Sequence, residues 1–232
     1  MDFKAELEKL NINLTDDISN KFELYYNKLI EVNSYMNLTA ITDHDEVYIK
    51  HFLDSLFIVK AIDNSKDYSI LDVGSGAGFP SIPLAIVDPK ANVTIIDALN
   101  KRINFLNDLV KYIGINNAIA YHKRAEDFAK EKRESFDYVT ARAVARLNVL
   151  TELCLPLVKI GGYFIAMKGS GAKEELDEAK NAIKILGGEI EKIIEIDLPD
   201  DLGKREIILI KKIKVTNIKY PREFKKIKER PL

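Results

Sequence analysis

The chain has 232 residues, 47% of them apolar, with one cysteine and no tryptophan, which is enough apolar side chain to bury a sizeable core without disulfide staples. Its 35 basic and 36 acidic residues leave a formal charge of −1, which argues against a protein that coats polyanions by bulk positive charge. Cys154 has no cysteine to pair with, no stretch approaches the roughly 20 apolar residues of a membrane span, and the charged start Met1-Asp2-Phe3-Lys4 is unlike a signal peptide, so a reducing cytoplasmic setting is expected.

Ile18, Phe22, Tyr25, Leu29 and Met36 recur at helical steps, with one wider gap, behind a capping cluster from Thr15 to Asp17, and this predicts an amphipathic helix. Asn37-Leu38-Thr39-Ala40 reads as a polar turn. A second helix is expected from about Asp43, carrying Val47, Phe52, Leu56 and Val59. Residues 1–65 are therefore read as an N-terminal helical cap, 66–212 as the main domain and 213–232 as a basic tail.

After Lys66 the pattern changes to short β-rich runs, each followed by a helical segment. Strands are predicted at residues 69–73, 93–97, 118–121, 136–140 and 163–167. A helix over about 172–186, the turn Gly187-Gly188 and runs at 189–197 and 205–210 predict a closing hairpin-like pair. The class is α/β: a mostly parallel, Rossmann-like sheet with an antiparallel last strand. Beyond Ile210 nine Lys or Arg stand against Glu223 and Glu229, a local charge of +7, which suits either phosphate contact or a solvated terminus.

In open parallel sheets a ligand binds beyond the carboxyl ends of the strands, where strand order reverses. The first predicted strand ends in Asp72 and enters Gly74, Gly76 and Gly78, whose missing Cβ atoms permit a sharp turn and close approach to a ligand. Phe79 and Pro80 are expected to begin the next helix. The G-x-G-x-G spacing departs from the G-x-G-x-x-G that cradles a pyrophosphate, and suits a phosphate-free ligand such as S-adenosylmethionine. Asp97 closes the second strand, about twenty residues past the loop, where a carboxylate can hold ribose hydroxyls. Arg124-Ala125-Glu126-Asp127 stands where such folds meet an adenine ring, although acids at a helix start explain it equally well.

The fourth strand delivers Arg142 to the same edge, as an orienting group for substrate or cofactor or as a structural ion pair. There is no Asn-Pro-Pro-Tyr or Asp-Pro-Pro-Tyr motif for an exocyclic amine and no Pro-Cys nucleophile for cytosine carbon 5; Cys154 reads as a packed thiol. Nitrogen 7 of guanine already exposes a lone pair, so its methylation needs placement and water exclusion, not a base. His44, His51 and His122 lack metal-ligand spacing, and no metal site is expected. His51, with Lys50 and Asp54, belongs to a solvated helix face or overhangs the pocket. Lys168 meets a phosphate or faces solvent.

The runs Asn37 to Ala40, His51 to Ser55, Asp72 to Pro80, Asn100 to Arg102, Arg124 to Glu126, Thr140 to Arg146 and Tyr220 to Arg222 resemble the bacterial glucose-inhibited division protein B family over nearly the whole chain. The resemblance implies a class I S-adenosylmethionine-dependent methyltransferase that acts on nitrogen 7 of a guanine in 16S ribosomal RNA, free or within the 30S subunit or an assembly intermediate. It also implies cofactor contacts at Gly74, Phe79, Ala125, Glu126 and Arg142, to which the loop and ribose arguments add Gly76, Gly78 and Asp97. Asn37, His51, Arg146 and Lys168 are the candidate substrate contacts, and a monomer is expected. The chain departs from the family after Tyr220-Pro221-Arg222, where Glu223-Phe224-Lys225-Lys226 replaces a Gly/Pro-containing sequence, which puts the tail's RNA contact in doubt. A small-molecule methyltransferase on the same sheet and a non-catalytic RNA-binding module remain the competing readings.

Overall fold

The computed structural model describes residues 2–169 and 171–232. Seven strands form one sheet: β1 (Tyr68–Val73), β2 (Ala91–Asp97), β3 (Ala118–His122), β4 (Phe136–Arg142), β5 (Val158–Lys168), β6 (Gly188–Asp197) and β7 (Lys204–Lys212). Their order is β3-β2-β1-β4-β5-β7-β6, with β1 to β5 parallel and β7 antiparallel to both neighbours. The order reverses between β1 and β4, so the ends of those strands, Val73 and Arg142, border the crevice in which such sheets bind ligands.

Successive residues of a strand point to opposite faces, and the sheet is buried on both. Ile70, Val93 and Ile95 face one core and Leu71, Ile96 and Val139 the other. The first core is closed by the cap together with α5 (Ser81–Val87) and α6 (Asn100–Ile113), the second by α7 (Ala125–Glu131), α8 (Leu147–Cys154) and α9 (Ala172–Ile185). In the cap, α1 (Phe3–Glu8) is capped by Asp2 and α2 (Asp16–Met36) by Thr15, whose hydroxyl accepts from the Ile18 amide at 3.2 Å. Phe22, Tyr25 and Leu29 of α2 are fully buried in the same core as Ile70 and Ile82.

Several elements differ from the sequence reading. The second cap helix is four pieces: α3 (His44–Val47), a π-helical turn Tyr48–Leu53, α4 (Asp54–Leu56) and a 3₁₀ turn Phe57–Ala61. π turns are rare and frequent at functional sites, and this one contains His51, stacked on Phe79, and is followed by Asp54, paired with Arg142. Helix α5 starts at Ser81, not at Phe79, because the amides of Gly78 and Phe79 both bond Ser75 O, at 3.0 and 3.1 Å, and keep the chain in a turn; Pro80 is the N-cap. Strand β5 begins at Val158, five residues before the expected start.

The tail is packed as well as charged. Helix α10 (Phe224–Glu229) buries Ile227, and Tyr220 joins the second core. Arg133 donates to the carbonyls of Thr216, Asn217 and Tyr220, while Arg222 pairs with Glu152, a fully buried carboxylate on α8. Lys212 is buried on Leu155 O at 2.8 Å, so two of the nine terminal cations serve the fold. At the outer edge of β3, Asn107 of α6 donates to Ala120 O at 3.0 Å and accepts from the Ala120 amide at 3.1 Å.

Candidate functional site

The three glycines have different neighbours. All have positive φ, +76° at Gly74, +63° at Gly76 and +106° at Gly78. A Cβ at Gly78 would stand 2.7 Å from Tyr25 Oη and 2.8 Å from Ile82 Cγ1, so that glycine serves packing. At Gly74 it would meet Val144 Cγ2 at 2.9 Å, across the crevice. At Gly76 it would meet nothing within 4 Å. Gly76 is therefore the position of the three that faces open space.

Two carboxylates flank that opening. Asp97 accepts from the Gly76 amide at 3.3 Å and from Arg102 Nη1 at 3.4 Å through Oδ2, and from the Leu99 amide at 2.8 Å through Oδ1. Asp72 is fully buried; Ser81 donates to its Oδ2, while its Oδ1 has no hydrogen-bond partner. Burial pushes its carboxyl up to about 6, against the lowering pull of the Ser81 and Ser75 hydroxyls and Arg142. At the start of α7, Ala125 is buried and Glu126 is mostly covered, with Arg124 4.0 Å from its carboxylate. An open backbone cradle, a carboxylate with unused acceptor capacity beneath it and a second one beside it fit a ligand that brings an ammonium group and hydroxyls, as S-adenosylmethionine does.

Phe79 joins the loop to the cap. Its ring is stacked with His51 at 4.5 Å and 19° and with Tyr25 at 5.5 Å and 20°, and the Arg142 guanidinium lies 5.0 Å from its centroid. His51 is thus neither a solvated face nor a free base. Its Nε2 lies 2.7 Å from Thr39 Oγ1, its Nδ1 is buried without a partner, and burial, assisted by Arg142, lowers its imidazolium to about 4.

On the other side of Arg142 lies a cavity of about 700 Å³, bordered by Lys50, His51, residues 142–146, Lys168 and Arg205 over the apolar Phe57, Met167 and Ile207. Arg142 makes the ion pair that the sequence left open, Nη1 to Asp54 Oδ2 at 2.8 Å, and also borders the cavity. Arg146 is bidentate on Glu178 of α9, at 3.0 and 2.6 Å. Lys168 requires correction: it neither faces solvent nor stands free for a phosphate, because it pairs with Glu175 at 2.7 Å and donates to Ala145 O at 2.8 Å. Glu175 also accepts from the Leu147 amide, so one carboxylate anchors both the lysine and the start of α8. Asn37 is exposed as the left-handed C-cap of α2 (φ 53°) and does not border the cavity. The sequence reading missed Arg205; its only signal is a cation just ahead of the apolar run 207–210. Among the described residues no group of His, Cys, Asp and Glu could hold a metal ion, and no helix is long and apolar enough to cross a membrane.

Comparisons with known proteins agree with this architecture. The chain superimposes on class I folds at low identity. One is the Pyrococcus horikoshii TYW2 structure in complex with MeSAdo (TM-score 0.54, 19% identity, 69% of this chain and 61% of that one). Another is the Methanococcus jannaschii fibrillarin pre-rRNA processing protein (TM-score 0.51, 19% identity, 66% and 70%). Sequence relatives are far nearer. Proteins named ribosomal RNA small subunit methyltransferase G match at 53% identity in Oceanobacillus iheyensis, over 95% of this chain and 94% of that protein. The corresponding protein of Staphylococcus carnosus matches at 52%, over 94% and 92%. The family model GidB, described as rRNA small subunit methyltransferase G, matches residues 18–206. With that span matched and half the residues shared with such relatives, the chain belongs to the GidB family of S-adenosylmethionine-dependent ribosomal RNA methyltransferases.

Proposed function

We propose that this chain transfers the methyl group of S-adenosylmethionine to nitrogen 7 of a guanine in 16S ribosomal RNA, within the 30S subunit or a precursor of it. The observation that carries the reading is the pairing of an open backbone cradle at Gly76 with a neighbouring cavity in which, among the described residues, each His, Asp and Glu side chain is already engaged, Glu206 by the Ala172 amide at 2.9 Å. His51 is neutral and tied to Thr39, Asp54 is held by two arginines, and Glu175 is held by Lys168 and the Leu147 amide. A nucleophile with its own lone pair suits such a site; one that must lose a proton does not.

When bound, the cofactor supplies an electrophilic methyl group. In this reading Gly74, Gly76, Gly78 and Phe79 shape its crevice, Asp97 accepts from ribose hydroxyls, Ala125 and Glu126 border the adenine, and Arg142 lies between cofactor and base. His51, stacked on Phe79, keeps water from the junction. Arg146 at the rim and Asn37 outside the cavity remain candidate RNA contacts. The cap 1–65 and the tail 213–232 are taken to flank the catalytic domain 66–212, in a monomer of the reducing cytoplasm.

The test is methyl transfer from labelled cofactor to small subunits lacking the modification, followed by nucleoside analysis. The expected product is 7-methylguanosine. A methyl group on any other atom rejects the nitrogen 7 assignment, and labelling of a metabolite with none of the RNA favours the small-molecule alternative.

A further inference from the structure

Asp54 lies at the cap side of the cavity, buried, with both carboxylate oxygens engaged. Its Oδ2 accepts from Arg142 Nη1 at 2.8 Å and its Oδ1 from Arg205 Nε at 2.7 Å. The three residues come from α4, the end of β4 and the start of β7, and the arginines lie 88 and 151 positions from Asp54. No local preference brings them together. The fold thus places one negative charge between two positive ones in a largely desolvated position, which is costly unless every geometry is satisfied.

The pairing fixes direction as well as charge. A guanidinium is a rigid planar fork, so anchoring one of its N–H groups sets where the others point. Among the described residues, Nε and Nη2 of Arg142 and Nη2 of Arg205 make no hydrogen bond; Arg205 Nη1 is taken by Lys204 O at 3.0 Å. Unsatisfied donors therefore border a cavity floored by Phe57, Met167 and Ile207, all buried. An apolar floor with donors at the rim suits a ring that presents an acceptor, and a base removed from its stack is such a ring. In duplex readout arginine forks onto both O6 and N7 of guanine. Here that fork would consume the lone pair that must attack, so the donors have to meet O6 alone.

We propose that Asp54 is a positioning residue for the methylation: it holds Arg142 and Arg205 as one rigid pair whose remaining N–H groups grip O6 of the target guanine and leave N7 open. This rests on the guanine reading above. The proposal predicts that charge on Asp54 controls how strongly O6 matters, which a purely structural strut would not do.

The experiment is a cycle of enzyme and substrate changes on reconstituted small subunits carrying guanine or 2-aminopurine at the target, the latter lacking O6 and keeping N7. For the wild-type chain the analogue should lower kcat/KM about tenfold or more. Asp54→Asn, which keeps the shape and removes the charge, should lower kcat/KM on guanine by a similar factor. It should leave S-adenosylhomocysteine affinity within about threefold and show little further loss on the analogue. An undiminished analogue penalty in Asp54→Asn would overturn the proposal, as would a wild-type chain indifferent to O6. Should Asp54→Asn fail to fold, Arg205→Lys, which leaves the Asp54–Arg142 pair in place, is read through the same cycle with the same two outcomes. If the wild-type chain places no methyl group on guanine N7 in either particle, it is the guanine reading itself that fails.

Discussion

The crevice at Gly76 and the cavity beyond Arg142 share one edge of the sheet but are made of different material. The crevice is backbone: three glycines at positive φ, an amide bonded to Asp97, and a position where an added Cβ meets nothing. The cavity is side chain: its polar groups are held in ion pairs between residues of different elements, Arg142 and Arg205 on Asp54, Lys168 on Glu175, Arg146 on Glu178. A backbone site is specified by a few adjacent residues and is lost when side chains fill it. A side-chain site is specified by partners supplied from α4, α9 and β7, and fails through lost partners.

The largest expected effect tests the glycines against one another. Gly78→Val should destabilise the fold by about 3 kcal/mol or more, since its Cβ meets Tyr25 and Ile82 at a φ of +106°. A drop of many degrees in thermal midpoint should be seen; a value near wild type would mean that the packing beside Tyr25 yields. Gly76→Leu should behave differently, costing about 1–2 kcal/mol for left-handed backbone while lowering S-adenosylhomocysteine affinity at least about tenfold by titration calorimetry. Undiminished affinity in that variant would remove Gly76 from the ligand side and erase the contrast with Gly78.

The smallest effect concerns pH. Burial holds the folded His51 near 4, below its ordinary 6.5. Because the fold favours the neutral ring, this contribution is complete above about pH 6.5 and is lost as pH falls toward 4. Asp72, raised to about 6, works in the opposite direction over part of that window, but it is common to both proteins when His51→Gln is compared with wild type. The variant, which loses the stack on Phe79, should be less stable at pH 7, and the gap should narrow by about 1 kcal/mol at pH 5 once partial exposure is allowed for. Denaturant midpoints at the two pH values measure it; a constant gap would show that His51 titrates normally.

The same contrast explains what the sequence discloses. The strands, the glycine loop and Asp97 are legible because each depends on adjacent residues or a fixed spacing along an apolar run. The missed start of β5 has a specific cause. Lys159-Ile160-Gly161-Gly162 looks like a turn, yet Gly162 lies in the strand, where a Cβ would stand 2.4 Å from Asp137 O; glycine is there for close approach of two backbones. The π turn at Tyr48–Leu53 is invisible to periodicity, since His51 within it and Asp54 after it are held by Phe79, Arg142 and Arg205, all distant in the sequence. Lys168 is legible as a cation at the right edge, but its partner Glu175 sits on another element. The charged tail shows its charge in the sequence and hides its anchor, because nothing about Arg222 announces a carboxylate buried 70 residues earlier on α8.

Asn107 gives the outer rim of the sheet an unusual property. Its carboxamide offers Ala120 the donor and acceptor that a further strand's peptide would offer, so the hydrogen-bonding capacity of the rim is saturated from within at that point. The opposite rim, β6, carries Glu189, Glu191, Lys192 and Glu195 and an irregularity between Ile190 and Lys192, which makes it a poor template as well. Each flank of the sheet thus carries a built-in obstacle to pairing with a further strand, at Ala120 on one side and along the charged, irregular β6 on the other.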